Sequence, residues 1–459
     1  MFKFKTKNLH FIGIGGIGIS GLAYLFKKEG YNVTGSDIKE SDTTEFLKKE
    51  NIKIYIGHRK ENVENSDVVI HTTAAKETNP EIVAAKEKGI PVIPRCDALS
   101  ELMRFKEGIS VAGTHGKTTT SSMIAKVLFD AELDPTILVG GKLDFLEGKN
   151  AHYGKSSLMV AETDESDGTF LKILPSISVI TNIDSDHLDF YKTLENIKSS
   201  FVEFANRTSF YGKVFLCGEC KNVMEILPKI YKKKVIYGFN PEFEFSAKNI
   251  KSVNGKTKAE ILYKGKTLGT LTLTIPGKHN ILNALAAVAL GLEAGIPFEK
   301  ITCSLENFKN AKRRMELKGC CNNILIFDDY GHHPTEIEAT YQGLKETFPE
   351  RKIYVVFQPH RYTRTKALWK EFIKTLKKID NLTITAIYSA GEEPIEGICG
   401  EMLAKLSGAE YGKNFEEIES RLLKKLKPGD IVLTMGAGNI YKLGEKILSK
   451  LQTAESKTL

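Results

Sequence analysis

Lys117 and Thr118 end the run Gly113-Thr114-His115-Gly116-Lys117-Thr118, which follows the apolar segment Ile109–Ala112. A lysine and a hydroxyl residue on a glycine turn behind a buried strand is the arrangement that holds ATP phosphates and Mg²⁺. On this reading Lys117 neutralises the β- and γ-phosphates and the Thr118 hydroxyl ligates the metal, while backbone amides from Gly113 to Thr119 point at the phosphates. The run departs from the common G-x-x-x-x-G-K-[ST] spacing, because Val111 stands where the first glycine would be.

A second glycine loop, Gly13-Ile14-Gly15-Gly16-Ile17-Gly18, fits the dinucleotide fingerprint, with Asp37 about twenty residues on. Read alone it suggests an NAD-dependent dehydrogenase. Any nucleotide diphosphate fits the same cradle at a helix N-terminus, UDP-sugars included. A glycine turn without a ligand remains the bland alternative.

Other reactive residues stand at the ends of apolar runs. Glu162 closes Leu158–Ala161, where an α/β sheet presents functional groups to a crevice. Asp164, Glu165 and Asp167 follow it and serve a cap or a solvated face as readily as a direct role. Asn280 and Asn283, at i and i+3 after Pro276-Gly277, suit either helix-start capping or a hydrogen-bonding function. His332-His333 follows Ile324–Asp328; His332 is expected to contact phosphate or orient substrate, and His333 is equally a buried structural residue. Arg361 and Arg364 lie one turn apart after Pro359, so on a helix they share a face and can hold a carboxylate, or else pair with surface acids. Gly436-Ala437-Gly438-Asn439 reads as a turn that admits a close neighbour.

Positioning these groups requires a frame, and the chain supplies alternating strand and helix patterns. Strands are expected at Leu9–Ile14, Asn32–Ser36, Val68–His71 and Ile90–Ile93, then at Ile109–Ala112, Leu158–Ala161, Ile177–Thr181 and Lys213–Cys217. A β-rich stretch near 243–275 contains the hairpin signal Asn254-Gly255, and a helix follows over Asn280–Leu292. Strands at Ile324–Asp328, Lys352–Phe357, Leu382–Ser389 and Asp430–Thr434 repeat the alternation. The fold class is α/β, with parallel sheets covered by helices. Three domains are expected: 1–105 around the first glycine loop, 106–312 around the phosphate loop, and a C-terminal Rossmann-like 313–459.

At 459 residues the chain exceeds one ordinary core. Hydrophobic residues make up 41% and charged residues 27%, the balance of a soluble globular protein without disordered tracts. The net charge of +8 is dispersed among 57 acidic residues, which suits small anionic substrates and argues against nucleic acid. No run is apolar enough for a membrane span. Lys3, Lys5 and Lys7 before Phe11–Phe26 imitate a secretory signal, but five glycines interrupt that run and no cleavage site follows. Seven irregularly spaced cysteines fit a reducing, cytoplasmic setting and no disulfide framework, and neither Cys217/Cys220 nor Cys320/Cys321 has a second pair at zinc spacing.

The shortened loop G-T-H-G-K-T resembles that of the Mur ligases and the related folylpolyglutamate synthetases. Further segments resemble the alanine-adding branch of the Mur ligases: Glu162-Thr-Asp-Glu-Ser-Asp167, Asn182-Ile-Asp-Ser-Asp-His187-Leu-Asp189, Asp329-Tyr-Gly-His332-His333-Pro334-Thr-Glu336, Gln358-Pro-His-Arg361-Tyr-Thr-Arg364 and Gly391-Glu-Glu-Pro394. They occur in the family's order along almost the whole chain. The resemblance implies ATP-dependent joining of L-alanine to UDP-N-acetylmuramate through an acyl phosphate, with Mg²⁺ or Mn²⁺. It implies Thr118 and Glu162 as ligands of one ion and His187 of a second, with no carbamylated lysine; Lys192 and Lys198 nearby are read as surface lysines. It places Asn280 and Arg314, of the pair Arg313-Arg314, at the nucleotide. The UDP-sugar side is assigned Gly15, Gly16, Gly18, Ser20, Ser36, Asp37, His71, Thr72, Thr73 and Arg95, and the acceptor side Tyr330, His332, Arg361 and Arg364. Ile17 and Ile19 depart from the family's glycine loop, where a serine contact to diphosphate is lost. A ligase attaching a preformed tripeptide to the same sugar is the nearest rival; the segments at Asp329–Gly331 and Arg361–Arg364 favour the alanine-adding branch. The oligomeric state stays open between a monomer and a weak dimer.

Overall fold

The computed structural model describes residues 6–72, 74–253 and 255–455. Thr73, Asn254 of the expected hairpin turn, and Lys3 and Lys5 lie outside the described residues. Strand residues alternate between faces, so a strand apolar at consecutive positions must be covered on both. That is found in each of three sheets: Val69 and Ile70, Val179 and Ile180, and Val432 and Leu433 each divide between two apolar clusters.

The first sheet is parallel, in the order Lys53–Ile56, Asn32–Asp37, Asn8–Ile12, Val68–His71, Val92–Pro94. Its order reverses beside Asn8–Ile12, and the first glycine loop leaves that strand into the helix Ile17–Lys28. Ligand crevices of open α/β sheets form at such switch points.

In the second sheet the strand Glu107–Ala112 lies between Leu158–Glu162 and Ile177–Ile180, all parallel. The phosphate loop therefore emerges between Glu162 and the segment beginning Thr181-Asn182. On one side the sheet continues into the meander Phe245–Val253, Lys256–Tyr263, Lys266–Leu273, whose second and third strands pair antiparallel to their predecessors. The third sheet holds Ile324–Asp329, Ile431–Met435 and Ile353–Phe357 as parallel neighbours. Their C-terminal ends bring together Tyr330–His332, Gly436–Asn439 and Gln358–Arg361.

Lys53–Ile56, Thr136–Leu143, Lys149–His152, Lys233–Gly238, Glu316–Cys321 and Glu410–Gly412 are strands that hydrophobic patterning did not anticipate. Four of them lie at sheet edges, where one flank is open and an apolar run is not needed, whereas Thr136–Leu143 and Lys233–Gly238 are interior strands. The expected strand Leu382–Ser389 stops at Thr385. Among the described residues, no helix is long and apolar enough to cross a membrane.

Beneath the first sheet, Glu81 is fully buried. Its carboxylate accepts hydrogen bonds from Ser36 Oγ (2.6 Å) and Asn62 Nδ2 (2.5 Å), with His58 Nδ1 at 3.0 Å. Burial would raise its pKa, but His10, Ser36 and Asn62 outweigh burial and hold it at about 2. Because the folded pKa is depressed, this contribution is present above the ordinary carboxylate value of 4.5 and is lost as pH falls from there toward 2. Glu81→Gln should therefore flatten the acid limb of a stability–pH curve by about 2 kcal/mol between pH 6 and 3, measured by denaturant titration. An unchanged acid limb would refute it.

Candidate active site

Each glycine of the phosphate loop has a geometric reason. Gly113 has φ +136°, and a Cβ there would lie 2.0 Å from Thr181 Oγ1; Gly116 has φ +76°. Asn182 braces the loop from its neighbouring strand. Its carbonyl accepts from Thr114 N–H (3.2 Å), its Oδ1 accepts from His115 N–H (2.8 Å), and its Nδ2 donates to the His115 carbonyl (2.9 Å). Thr181 Oγ1 donates to the same carbonyl at 2.6 Å. The helix Lys117–Asp130 begins with no side-chain cap and no acid in its first turn, so its leading N–H groups are left for an anion.

Lys117 Nζ donates to the carbonyls of Gly113 (2.6 Å) and Thr114 (3.1 Å) and pairs with Glu165 Oε1 at 2.9 Å. Glu165 is thus a buried partner of the phosphate-loop lysine, one of the two readings the sequence left open. Burial pushes its pKa up to about 7 against the pull of Lys117. Thr119 Oγ1 donates to Asn310 Oδ1 at 3.1 Å.

Thr118 Oγ1 donates to Glu162 Oε1 at 3.0 Å, while Glu162 Oε2 accepts the Gly140 N–H at 2.7 Å. A hydroxyl and a carboxylate side by side are the hard oxygen donors that Mg²⁺ prefers, so this pair fits the ion. His187 adopts φ +54° at the start of the short helix Leu188–Tyr191, its Nε2 3.6 Å from Asp186 and 3.8 Å from Glu165. Burial lowers its pKa, which favours the neutral imidazole that a metal needs.

The UDP-sugar assignments separate. Asp37 Oδ2 accepts the Gly15 N–H at 2.9 Å, and a Cβ on Gly15 would lie 2.9 Å from that oxygen. A Cβ on Gly18 would lie 2.4 Å from the Arg95 guanidinium, so this glycine seats Arg95 against the loop. Arg95 also pairs with Asp164 at 2.5 Å, tying the first sheet's domain to the central one, while Asp164 Oδ1 caps the following turn by accepting the Ser166 N–H at 3.0 Å. Gly16 is free of a tight neighbour at its Cβ position, and His71 Nδ1 lies 3.0 Å from the Thr72 carbonyl. Two residues are corrected. Ser20 is buried with its hydroxyl turned back to the Ile17 carbonyl, so it does not replace the missing loop serine. Ser36 is buried and engaged with Glu81, which removes it as a uridine contact.

The arginine pair divides its labour. Arg313 is bound inside the third domain, to Asp328 Oδ2 (3.0 Å) and to the carbonyls of Gly436 (2.5 Å) and Gly438 (3.0 Å), where the glycine turn admits it. Arg314 lies over the Tyr330 ring at 5.0 Å, 3.9 Å from Glu336, and is the member left to reach a ligand. Asn280 is buried with Nδ2 donating to the Pro276 carbonyl at 2.6 Å; Asn283 faces the phosphate loop, its Oδ1 2.9 Å from where a Gly116 Cβ would stand. Of the two asparagines, the one not assigned to the nucleotide is therefore the one in contact with the phosphate loop and its helix, where Asn283 Oδ1 also accepts from Thr120 Oγ1 at 3.0 Å.

Tyr330 packs edge to face on His332, whose ring lies beside that of His360, and Arg364 reaches the same His360. Burial lowers the His332 pKa to about 3 despite Glu336, leaving a neutral ring with Nδ1 3.1 Å from the Tyr330 carbonyl. The helix expected to carry both arginines begins only at Tyr362. Arg361 precedes it with φ +68°, because the chain first pairs beside Tyr388 at His360, so the two arginines do not share a helix face. They still line one cleft of about 250 Å³ with Asp186, His187 and Thr363. Arg364 Nε lies 3.4 Å from Asp186 Oδ1. Lys198, read as a surface lysine, is largely buried between Glu195 and Glu225.

His115 bridges the central and C-terminal domains, with Nε2 3.1 Å from Asp184 and Nδ1 3.2 Å from Glu336. Burial alone would lower its pKa, but the two carboxylates raise it to about 9. Sequence reading assigned no role to Asn182, Asp184, Asp186 or Glu336, although each lies inside a quoted motif. For Asn182, Asp184 and Asp186 the only signal was an acid or amide beyond a strand end, and for Glu336 an acid in the first turn of the helix Pro334–Thr347.

Three family models cover the chain: the Mur ligase family catalytic domain over residues 8–107, the Mur ligase middle domain over 111–291, and the Mur ligase glutamate ligase domain over 313–438. A UDP-N-acetylmuramate–L-alanine ligase of Geobacter sulfurreducens is 48% identical over 457 residues, covering 98% of this chain and 99% of the relative. One from Aquifex aeolicus is 47% identical over 451 residues, with the same coverage. The crystal structure of a UDP-N-acetylmuramate–alanine ligase from Thermotoga maritima superposes with TM-score 0.83 at 31% identity, covering 97% of this chain and 99% of that one. With models matched along nearly its full length and relatives this similar from end to end, the chain belongs to the Mur ligase family.

Proposed function

We infer that this chain is an ATP-dependent ligase that joins L-alanine to the carboxylate of UDP-N-acetylmuramate, a step in making peptidoglycan precursors. The observation that carries the reading is the chain of contacts from the phosphate loop, where Lys117 pairs with Glu165 and Thr118 with Glu162, through His187 beside Glu165 to the cleft that His187 lines with Arg361 and Arg364, in a chain 48% identical to a ligase of that name.

A carboxylate is a poor acyl donor, so it must first be activated. The carboxylate oxygen attacks the γ-phosphorus and ADP leaves, forming an acyl phosphate. The alanine amine then attacks the acyl carbon, phosphate leaves, and the nitrogen gives up its proton as the amide forms. Lys117 and the free amides of helix Lys117–Asp130 hold the triphosphate, with Arg314 and the Asn280 region completing the nucleotide site. Thr118 and Glu162 would hold one Mg²⁺ or Mn²⁺ and His187 a second; such ions neutralise charge during phosphoryl transfer. Arg361 and Arg364 orient carboxylates, and neutral His332 and Tyr330 line the acceptor side. Gly15, Gly16, Gly18, Asp37, His71, Thr72 and Arg95 receive the UDP-sugar. Domain limits at 105/106 and 312/313 are supported by the passage from one sheet to the next between Pro94 and Glu107 and between Leu273 and Glu316.

Phosphate release from ATP should require both UDP-N-acetylmuramate and L-alanine, and release indifferent to alanine would overturn the assignment. Gly18→Val should push Arg95 away from the loop. The expected result is a KM for the UDP-sugar raised about tenfold or more, the worth of one charge-assisted hydrogen bond, with the KM for ATP unchanged. An unaltered UDP-sugar KM would remove Arg95 from that site.

A further inference from the structure

We propose that His115, Asp184 and His333 form a divalent-cation site of the kind zinc favours, separate from the Thr118–Glu162–His187 set and spanning the seam between the central and C-terminal domains. One ligand atom from each of the three lies within 4.8 Å of the other two. His115 Nε2 is 3.1 Å and His333 Nδ1 3.8 Å from Asp184 Oδ2, and an ion bound there takes the place of the His115 Nε2 proton, which is released to solvent. Ligands bonded at zinc distances around a tetrahedron stand about 3.4 Å apart, so small side-chain adjustments close the set.

What lies behind the ligands points the same way. Histidines that bind metals donate their second ring N–H to a carboxylate or a backbone carbonyl, which fixes the tautomer and aims the ligand nitrogen. Both histidines have such an acceptor. His115 Nδ1 faces Glu336 Oε1 at 3.2 Å, and His333 Nε2 faces the Ser185 carbonyl at 3.3 Å. In that tautomer His333 Nδ1 carries its lone pair toward Asp184, where it now takes only a 3.3 Å hydrogen bond from the Thr335 N–H. Asp184 is itself held, with Oδ1 accepting the Ser185 N–H and Oδ2 the Thr335 hydroxyl. The donor set, two imidazoles and one carboxylate, is the borderline-soft set that takes Zn²⁺ over Mg²⁺.

The site's position gives it a consequence. His115 belongs to the phosphate loop and His333 caps the helix Pro334–Thr347 of the third domain. An ion bound to both fastens the loop to that helix, and turnover requires the domains to part for product release. Zinc is therefore inhibitory here even when Mg²⁺ saturates the reaction.

The test titrates Zn²⁺ against the full-length protein in competition with a chromophoric chelator, in excess Mg²⁺. His333→Asn keeps a side-chain acceptor for the helix cap and removes the ligand; Asp184→Asn is the second variant. The expected result is one site per chain in the parent, weakened at least tenfold in either folded variant, with Glu336→Gln weakening it 10- to 100-fold as loss of a supporting carboxylate does. Exposed Cys303, Cys320 and Cys399 are the competing thiols, and replacing all three by serine should leave the site intact. Zinc affinity unchanged in both His333→Asn and Asp184→Asn, or lost with the cysteines, overturns the proposal. Because the readout is binding, it stands apart from whether alanine is the substrate.

Discussion

Lys117→Ala is expected to lower the rate of ATP-dependent ligation by about 10³-fold or more, the scale of removing one cation from a phosphoryl-transfer site. The ammonium is the only side-chain cation bonded to the loop's own carbonyls, at Gly113 and Thr114, among the described residues, so no neighbour can take its place without rebuilding the turn. A loss of activity could also arise from unfolding, because Glu165 would lose its partner in a buried pair, which costs about 3–5 kcal/mol when the remaining group stays charged. Glu165 softens that cost by taking up a proton: its pKa of about 7 rises further once Lys117 is gone. The double variant Lys117→Ala, Glu165→Gln separates the effects. Its thermal midpoint should return toward that of the parent while its rate stays down. A single variant that turns over at the parent rate would refute the phosphate-loop assignment.

The same pair shows where sequence stops. Lys117 was legible because its neighbours are diagnostic, a glycine turn after a buried strand. Glu165 was not, because whether an acid in Glu162-Thr-Asp-Glu-Ser-Asp167 faces water or a lysine depends on the turn that follows the strand, and such a turn leaves no periodic signal. Parallel strands buried on both faces could be read from their apolar runs, as at Val68–His71 and Lys213–Cys217, whose limits coincide with expectation. Edge strands such as Lys53–Ile56 could not, since one open flank frees their side chains from being apolar. Arg361 failed for a related reason. Proline at 359 suits a helix start, but the segment first lies beside Tyr388 and the helix waits until Tyr362, a tertiary contact that overrides the local preference. Interdomain ties were the least legible. Arg95 to Asp164 and His115 to Glu336 join residues 69 and 221 positions apart, and no local pattern encodes such a meeting.

Glu162→Gln isolates the metal step from the fold. Glu162 now serves two partners with two oxygens, Thr118 through Oε1 and the Gly140 N–H through Oε2. Glutamine has one acceptor oxygen, so it keeps one contact and loses the negative charge that makes the site attractive to a hard cation. Its volume is the same, and the space it needs is kept by Gly140, where a Cβ would lie within 2.7 Å of both carboxylate oxygens. The fold should hold, with thermal stability near that of the parent. The ligation rate at a fixed, moderate Mg²⁺ concentration should fall about 10²- to 10³-fold, the range seen when one transition-state charge contact is removed. The Mg²⁺ dependence should shift to higher concentration, and Mn²⁺, which follows Mg²⁺ in oxygen preference but binds more tightly, should recover part of the rate. The KM for L-alanine should change little, because the acceptor side proposed for it is formed by Arg361, Arg364, Tyr330 and His332 and not by Glu162. A Mg²⁺ titration that superimposes on the parent's would show that Glu162 holds no ion.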